Sequence, residues 1–319
     1  MLTLSDLQYV LNTIPAAGYQ KAFNNKAPFF GHLPLVTGKG GNIAIPYHYA
    51  GNAGGGSFTE EDELSSGGKQ ARRTIHFPWK SVYKKISVSG LSQAVSRNGG
   101  VLNINDQVKD EAKNAVKDLI SMINTQLMGD GTGNSGKDIQ GVKYHIADSG
   151  DYANEALSRS VYTWLASYVS DNGGVARALT EELINAVHNE LVDNRGVNYT
   201  QVWTNSTLAY AYEKLMGDKK RYMNVKVGDV FMDALMIHGR PVIPFPGYPA
   251  RMDFVEADGF EIQYLPVDSK DSLGREVKSG LFKVKELPTS KDAEEAAIIC
   301  YLNLVCKNAY HHGSLQDIQ

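Results

Sequence analysis

The sequence predicts a mixed α+β protein, and three patterns support that fold class. Residues 103–128 place apolar side chains at spacings of three and four, which is typical of a long amphipathic helix. Residues 41–49 and 72–88 alternate apolar and other side chains, as strands do. Residues 296–307 are apolar on both alternating faces, which favours a strand covered on both sides.

Composition narrows the functional classes. The chain has 319 residues, of which 42% are hydrophobic and 21% charged, and its formal net charge is −3. No window approaches the ~20 apolar residues that cross a bilayer, and the first residues lack the basic and apolar regions of a secretory signal. The two cysteines, Cys300 and Cys306, would lie too far apart on one strand for a disulfide. We therefore expect neither a membrane partner nor a disulfide scaffold.

The first 39 residues are predicted to form an N-terminal arm. Apolar residues between Leu4 and Ile14 have helical spacing, and Pro15 ends that helix. The segment that follows is polar and irregular. Three of its apolar side chains lack local partners and are expected to contact another subunit: Phe29, Phe30 and Leu33.

Residues 40–90 predict an extended two-stranded loop with a glycine-rich, acidic tip. Ile43, Ile45, Tyr47 and Tyr49 fall on one face by alternation. In the return arm the alternation slips after Trp79. A proline near the middle of each arm fits an edge strand or a bulge. Because an isolated two-stranded ribbon is marginal in water, we expect neighbouring copies of the same chain to complete it.

Charge supports the same expectation. The tip carries Glu60–Glu63, and the return arm carries a basic run composed of Lys69, Arg72, Arg73, Lys80, Lys84 and Lys85. We expect pairing between the tip of one copy and the run of another; cation binding by the tip and nucleic-acid binding by the run are the alternatives. The predicted contacts of the loop are Tyr47, Tyr49, Phe58, Glu60, Glu61, Asp62, Glu63, Arg72, Arg73, Phe77 and Trp79.

The rest of the chain predicts short elements. Helices are expected over 178–194 and 206–216, each preceded by a capping residue and followed by glycine. Short strands are expected over 140–146, 225–231, 235–243, 251–256 and 260–265.

The glycine-rich turn Gly129–Gly136 contains a G-x-G-x-x-G string, but its context is wrong for a nucleotide. The fingerprint needs a preceding strand and a following helix, and here a long helix precedes. The eight histidines show no metal-ligand spacing apart from the adjacent His311 and His312, which favour a solvated terminus. We predict no catalytic, cofactor-binding or metal-binding residue. A cytosolic enzyme that uses this turn is retained as an alternative.

The order of elements, together with three stretches, resembles the tailed-bacteriophage major capsid proteins of the Johnson fold, the Hong Kong ninety-seven type. Lys84–Ser89 followed by Leu91 resembles the strand that leaves the family's extended loop. Leu127–Gly133 with Gln140-Gly141-Val142 resembles the turn after its spine helix, and Leu235–Val242 resembles its G-x-P-V strand.

This resemblance implies a structural subunit of an icosahedral viral head that encloses double-stranded DNA, and not an enzyme. An encapsulin-like compartment on the same fold is the alternative. The implied domains are an arm (1–39), an extended loop (40–90), a peripheral domain (91–150 and 281–319) with spine helix 103–128, and an axial domain (151–280).

The implied partners are copies of the chain itself, as hexamers and pentamers, and packaged DNA bound without sequence specificity. A portal and a separate scaffolding protein are also expected, because no long scaffolding segment precedes the loop. The implied location is the virion, after synthesis in the host bacterial cytoplasm.

Overall fold

Two β-sheets and one long helix organise the part of the chain that the computed structural model describes, which is residues 28–51, 57–60, 62, 71–89, 104–227, 230–270, 276–288 and 292–319. The helix expected before Pro15 and most of the loop tip lie outside these residues. Within them, no helix is both long and apolar enough to span a membrane.

The elements are numbered in chain order. The helices are α1 (Pro28–His32), α2 (Ile104–Met128), α3 (Val142–His145), α4 (Glu181–Asn189) and α5 (Ser206–Met216). The strands are β1 (Leu35–Thr37), β2 (Ile43–Ala50), β3 (Ala71–Phe77), β4 (Lys80–Ser89), β5 (Asp151–Tyr152), β6 (Leu157–Ser158), β7 (Tyr168–Ser170), β8 (Gln201–Thr204), β9 (Tyr222–Val227), β10 (Val230–Ile237), β11 (Arg240–Pro244), β12 (Met252–Val255), β13 (Phe260–Tyr264), β14 (Val267–Lys270), β15 (Glu276–Gly280), β16 (Lys283–Leu287), β17 (Ala293–Cys306) and β18 (Gly313–Leu315).

The long strand β17 is the centre of the five-stranded sheet. It pairs antiparallel with β4 along one edge and with β16 and β13 along the other, and β1 adds parallel to β13. The prediction of a covered closing strand is confirmed, because Ile298, Cys300, Leu302 and Val305 are all fully buried. Cover on both faces explains why the strand is apolar at both parities.

The predicted long helix is confirmed as α2, which packs against β4. Its apolar stripe buries Leu119, Ile123 and Leu127 completely. The helix ends where Gly129 donates its N–H to the carbonyl of Gln126 (3.0 Å). Burial of this stripe, at roughly 1.5–3 kcal/mol for each large side chain, is what holds the helix on the sheet.

The second sheet has seven strands in the order β7-β18-β12-β8-β11-β10-β9. Helix α4 begins at the Thr180 cap, whose hydroxyl accepts the N–H of Leu183 (3.3 Å). Its last turns continue as a π-helix over Glu190–Asn194. Together these two elements cover the helix predicted over 178–194. Helix α5 has the predicted bounds and is capped by Asn205.

Two local predictions were wrong. The return arm is not one strand: β3 pairs with β2, whereas β4 pairs with β17. The interruption at Pro78-Trp79 lies where the alternation of apolar side chains changes phase. Residues 140–146 hold the one-turn helix α3 in place of a strand. The C-terminal strand β18 lies in the seven-stranded sheet, where it pairs with β12 and β7.

Candidate inter-subunit interface

The candidate site is the ribbon, defined here as strands β2 and β3, together with its tip (residues 51–70). The two strands pair antiparallel from Ile43 opposite Phe77 to Ala50 opposite Ala71. Alternation turns one face of the ribbon toward the protein core. The side chains on that face are buried: Ile43, Ile45, Tyr47, Ile75 and Phe77.

A buried hydrogen-bond chain fixes the ribbon at Tyr47. Its hydroxyl donates to the carbonyl of Cys306 on β17 and lies 3.4 Å from the Tyr152 hydroxyl. His145 contacts that hydroxyl through Nδ1 (2.8 Å) and the Leu304 carbonyl through Nε2 (3.0 Å). Since a carbonyl only accepts, Nε2 carries the proton and Tyr152 donates to Nδ1.

Electrostatics keep this chain of groups neutral. Burial lowers the pKa of His145 to about 3, and the positive charge of Arg159 acts in the same direction. Burial also raises the pKa of Tyr47 and of Tyr152 well above the ordinary value. The groups that hold the ribbon are therefore uncharged at neutral pH, and they interact through hydrogen bonds and not through ion pairs.

The segment 144–159 forms hydrogen bonds with strand β3 of the ribbon. Asn154 donates its N–H to the His76 carbonyl (2.9 Å), and the N–H of His76 donates to a Glu155 carboxylate oxygen (3.4 Å). Arg159 stabilises this segment. Its guanidinium donates to the Ser149 carbonyl (2.9 Å) and lies 4.6 Å from the centre of the Tyr152 ring.

Beyond Tyr47 the ribbon is exposed. Tyr49 is 44% exposed and stacks on Trp164, with ring centres 4.8 Å apart. Arg73 lies over the Tyr162 ring at 5.4 Å. Val161, which precedes Tyr162 in the sequence, is 72% exposed. We call Tyr49, Arg73, Val161, Tyr162 and Trp164 the aromatic patch.

The described part of the tip carries a turn. Asp62 donates its N–H to the Thr59 carbonyl (3.0 Å), and its carboxylate accepts the N–H of Thr59 (2.8 Å). These hydrogen bonds lower the pKa of Asp62. Next to the turn, Phe58 is 64% exposed, and Glu60 is exposed as well. The described part of the tip thus presents the Phe58 ring beside the carboxylates of Glu60 and Asp62.

The arm residues expected at a subunit contact are buried in the chain itself. Phe29, Phe30 and Leu33 are each 2% exposed or less. Phe29 packs edge-on against Trp203 and Phe245, at 5.3 and 5.0 Å. The prediction is wrong for these side chains, because the chain itself buries them; the ring partners of Phe29 come from segments about 170–215 positions away.

Three predicted contacts of the loop also serve the core. Tyr47 and Phe77 face inward, and Phe77 packs edge-on against Tyr152 at 5.4 Å. Trp79 is partly buried: its indole N–H donates to the Gly40 carbonyl (3.0 Å), and its ring fills the space beside Gly38. The predicted contacts that remain exposed or partly exposed are Tyr49, Phe58, Glu60, Asp62, Arg72 and Arg73. Glu61 and Glu63 lie outside the described residues.

All three described lysines of the predicted basic run have partners within the chain. Lys80 donates to the Gly136 carbonyl (2.6 Å), Lys84 pairs with Asp118 (3.2 Å), and Lys85 pairs with Glu295 (2.6 Å). Lys69 is outside the described residues. Of the run, Arg73, which lies over the Tyr162 ring at 5.4 Å, is the residue retained as the proposed complement of the acidic tip.

The glycine-rich turn does not fit a phosphate. The space beside Gly133 is filled by the Asp138 carboxylate, whose charge would repel an anion. Among the described residues, no three histidine, cysteine or acidic side chains are grouped closely enough to hold a metal ion.

Sequence reasoning missed the residues that support the ribbon. His145, Tyr152 and Arg159 gave no signal, because each lies far along the sequence from the strands β2 and β3. Tyr162 and Trp164 alternate, as β-strand residues would, but nothing in the sequence connects them to Tyr49 and Arg73.

Solved shell proteins have the same fold. A capsid protein of cyanophage A-1(L) matches with a TM-score of 0.69 at 17% identity, over 92% of this chain and 93% of that chain. The capsid of a native GTA particle matches with a TM-score of 0.59 at 15% identity, over 91% and 89%. The SrpI encapsulin of Synechococcus elongatus PCC 7942 matches with a TM-score of 0.57 at 11% identity, over 90% and 85%. The fold is that of shell-forming capsid proteins, as the sequence predicted.

The family model gives the more specific result. No curated protein matches the sequence. Residues 80–319, however, match the model of the SU10 major capsid protein. The chain therefore belongs to the SU10 major capsid protein family, and its role is structural, as a subunit of a phage capsid. The match begins at the first residue of β4, so the ribbon precedes it.

Proposed function

We propose that the protein assembles with its own copies, as hexamers and pentamers, into an icosahedral virion head, and that the ribbon tip contacts a neighbouring subunit. The proposal about the ribbon rests on one observation. The base of the ribbon, residues 43–47 and 75–77, is fixed in the chain's own core, whereas Tyr49, Phe58, Glu60 and Asp62 are exposed. An anchored strand pair with an exposed aromatic and acidic end is suited to hold a second molecule.

Many weak contacts suffice for such a shell. Once one contact forms, the others become intramolecular at high effective concentration, so that affinity accumulates without any strong single interface. Point-group symmetry then closes the assembly. The buried base matters because it fixes the angle of the ribbon, which reduces the conformational entropy lost when a neighbour binds.

The proposed contents and partners follow from the family and from charge. A net charge of −3 suits a wall that encloses double-stranded DNA without binding it tightly or by sequence. A portal and a separate scaffolding protein are proposed as further partners, with synthesis in the host bacterial cytoplasm. The proposed role is mechanical and not catalytic.

Replacing the tip tests this proposal. Ala50 pairs with Ala71, so a two-residue Asn-Gly turn can replace residues 51–70 and close the hairpin. We expect a folded monomer with a melting temperature close to that of the unmodified chain, and no shells by negative-stain microscopy. A Gly/Ser segment of equal length serves as the matched variant; it restores the length but not the side chains, and should also fail. Normal shells from either variant would contradict the proposal.

An encapsulin-like compartment is the second candidate, and the fold match to the SrpI encapsulin favours it. The two candidates differ in their contents. Particles purified after nuclease treatment should contain protected double-stranded DNA if the chain builds a phage head. Particles that contain protein cargo and no nucleic acid would favour the compartment.

A further inference from the structure

We propose that the aromatic patch is the receptor for the ribbon tip of a second copy of this chain. This inference rests on the proposed function and names the surface to which the tip binds. Tyr, Trp and Arg are the residue types that dominate the energetics of protein interfaces. Here they meet at one place: Tyr49 on Trp164, and Arg73 over Tyr162.

The tip and the patch are complementary in chemistry. Phe58 supplies an exposed aromatic ring that can pack against the Tyr49–Trp164 stack. Glu60 and Asp62 supply carboxylates for the Arg73 guanidinium, which forms planar, paired hydrogen bonds with such groups. The Thr59–Asp62 turn is already hydrogen-bonded, so little order has to be gained on binding.

The occupant is a second copy, because the chain does not satisfy its own patch. Phe58 is 64% exposed and Tyr49 is 44% exposed in the same molecule. Ten residues can extend at most about 35 Å, so Glu60 can reach well beyond the end of β2 and β3. Tip and patch are different surfaces, so that the contact is head-to-tail. Contacts of that kind close into rings when the rotation allows it.

Cross-linking between two variants, each with one introduced cysteine, tests the inference. Ser57→Cys and Val161→Cys change exposed side chains, keep Phe58 in place and should not alter folding. The native Cys300 and Cys306 are completely buried, so background labelling is low. When the two variants are mixed, assembled and treated with a short bismaleimide, a link between positions 57 and 161 can form only between different chains.

We expect a cross-linked dimer containing both variants, identified by peptide mass spectrometry. In a variant that carries both introduced cysteines, we expect a ladder of cross-linked oligomers that extends to closed rings. Val175→Cys is the matched control, since Val175 is 64% exposed outside the patch, and mixing it with Ser57→Cys should give little product. Particles without a 57–161 link, equal linking to position 175, or an intrachain link in the double variant would overturn the inference. Electron microscopy of the same samples tests the proposed function separately. If the proposed function is wrong, no particles form; if only this inference is wrong, particles form without the cross-link.

Discussion

Tyr47 shows how one side chain ties the ribbon to the rest of the molecule. Its ring is buried, and its hydroxyl donates to the Cys306 carbonyl on β17. Tyr152 and His145 extend the same hydrogen-bond chain to the Leu304 carbonyl. A buried donor or acceptor left unpaired costs about 1–3 kcal/mol, so each member of the chain depends on the others.

His145 makes this network sensitive to acid. Burial depresses its pKa to about 3 in the folded chain, against 6.5 for an ordinary histidine. The unfolded chain therefore binds one more proton between these two values. The stabilisation is fully present above pH 6.5 and is lost progressively as the pH falls toward 3, by about 1.4 kcal/mol per pH unit.

His145→Gln should remove this dependence. The variant keeps an N–H donor and loses the titrating ring. We expect the free energy of unfolding, measured by urea titration, to fall less steeply between pH 5.5 and 4, by about one proton's worth, or about 1.4 kcal/mol per pH unit. His312, whose pKa burial also lowers to about 3, should behave similarly as His312→Gln. An unchanged slope in both variants would contradict the account.

At the residue scale, the sequence predicted which ribbon face is apolar but not what covers it. Alternation placed Ile43, Ile45 and Tyr47 together, and they do share a face. It could not distinguish cover by the chain itself from cover by a neighbour, since both demand the same pattern. Phe29 was misjudged for that reason, because Trp203 and Phe245, which pack against it, lie far along the sequence.

At the scale of elements, the ribbon and the five-stranded sheet are built from one continuous arm that changes partners. Strand β3 pairs with β2, and after Pro78 the chain re-enters as β4 against β17. Asn303 on β17 stabilises the point at which the chain passes from β3 to β4, since its side-chain amide donates to the Pro78 carbonyl (2.9 Å). The slip in alternation predicted the break, whereas the change of partner depends on residues more than 200 positions away.

Gly141 controls the end of helix α2. A Cβ atom at this position would be closer than van der Waals contact to the carbonyl oxygens of Gln126, Leu127 and Gly129. Its backbone is in the ordinary extended region (φ −84°), so the requirement is steric. The last turn of the helix and the α3 segment can approach each other only because no side chain lies between them.

Gly141→Ala should lower the free energy of unfolding by at least about 2 kcal/mol, since the surrounding carbonyls belong to backbone that cannot move aside. Gly173→Ala is the matched control. Gly173 has φ +64° in open space, so the substitution costs only the left-handed conformation, about 1 kcal/mol. Urea denaturation of both variants gives the comparison. A Gly141 variant no less stable than the control would contradict the packing argument.

At the scale of the whole molecule, each of the two sheets combines strands that lie far apart in the sequence. The C-terminal strand β18 lies between β7 and β12, and β13 leads from the seven-stranded sheet into the five-stranded one. The long helix, the closing strand and the capsid fold were predictable, because each leaves a periodic or ordered pattern. The sheet orders were not, because pairings such as β18 with β12 leave no local signal.

The central claim is that the ribbon is anchored by its own chain and completed by another. Amide hydrogen exchange in dissociated subunits and in assembled particles tests it most directly. We expect slow exchange at residues 43–45, 47 and 75–77 in both states, and slowing at residues 57–62 only in particles. Equal protection of residues 57–62 in both states, or no slowing on assembly, would contradict it.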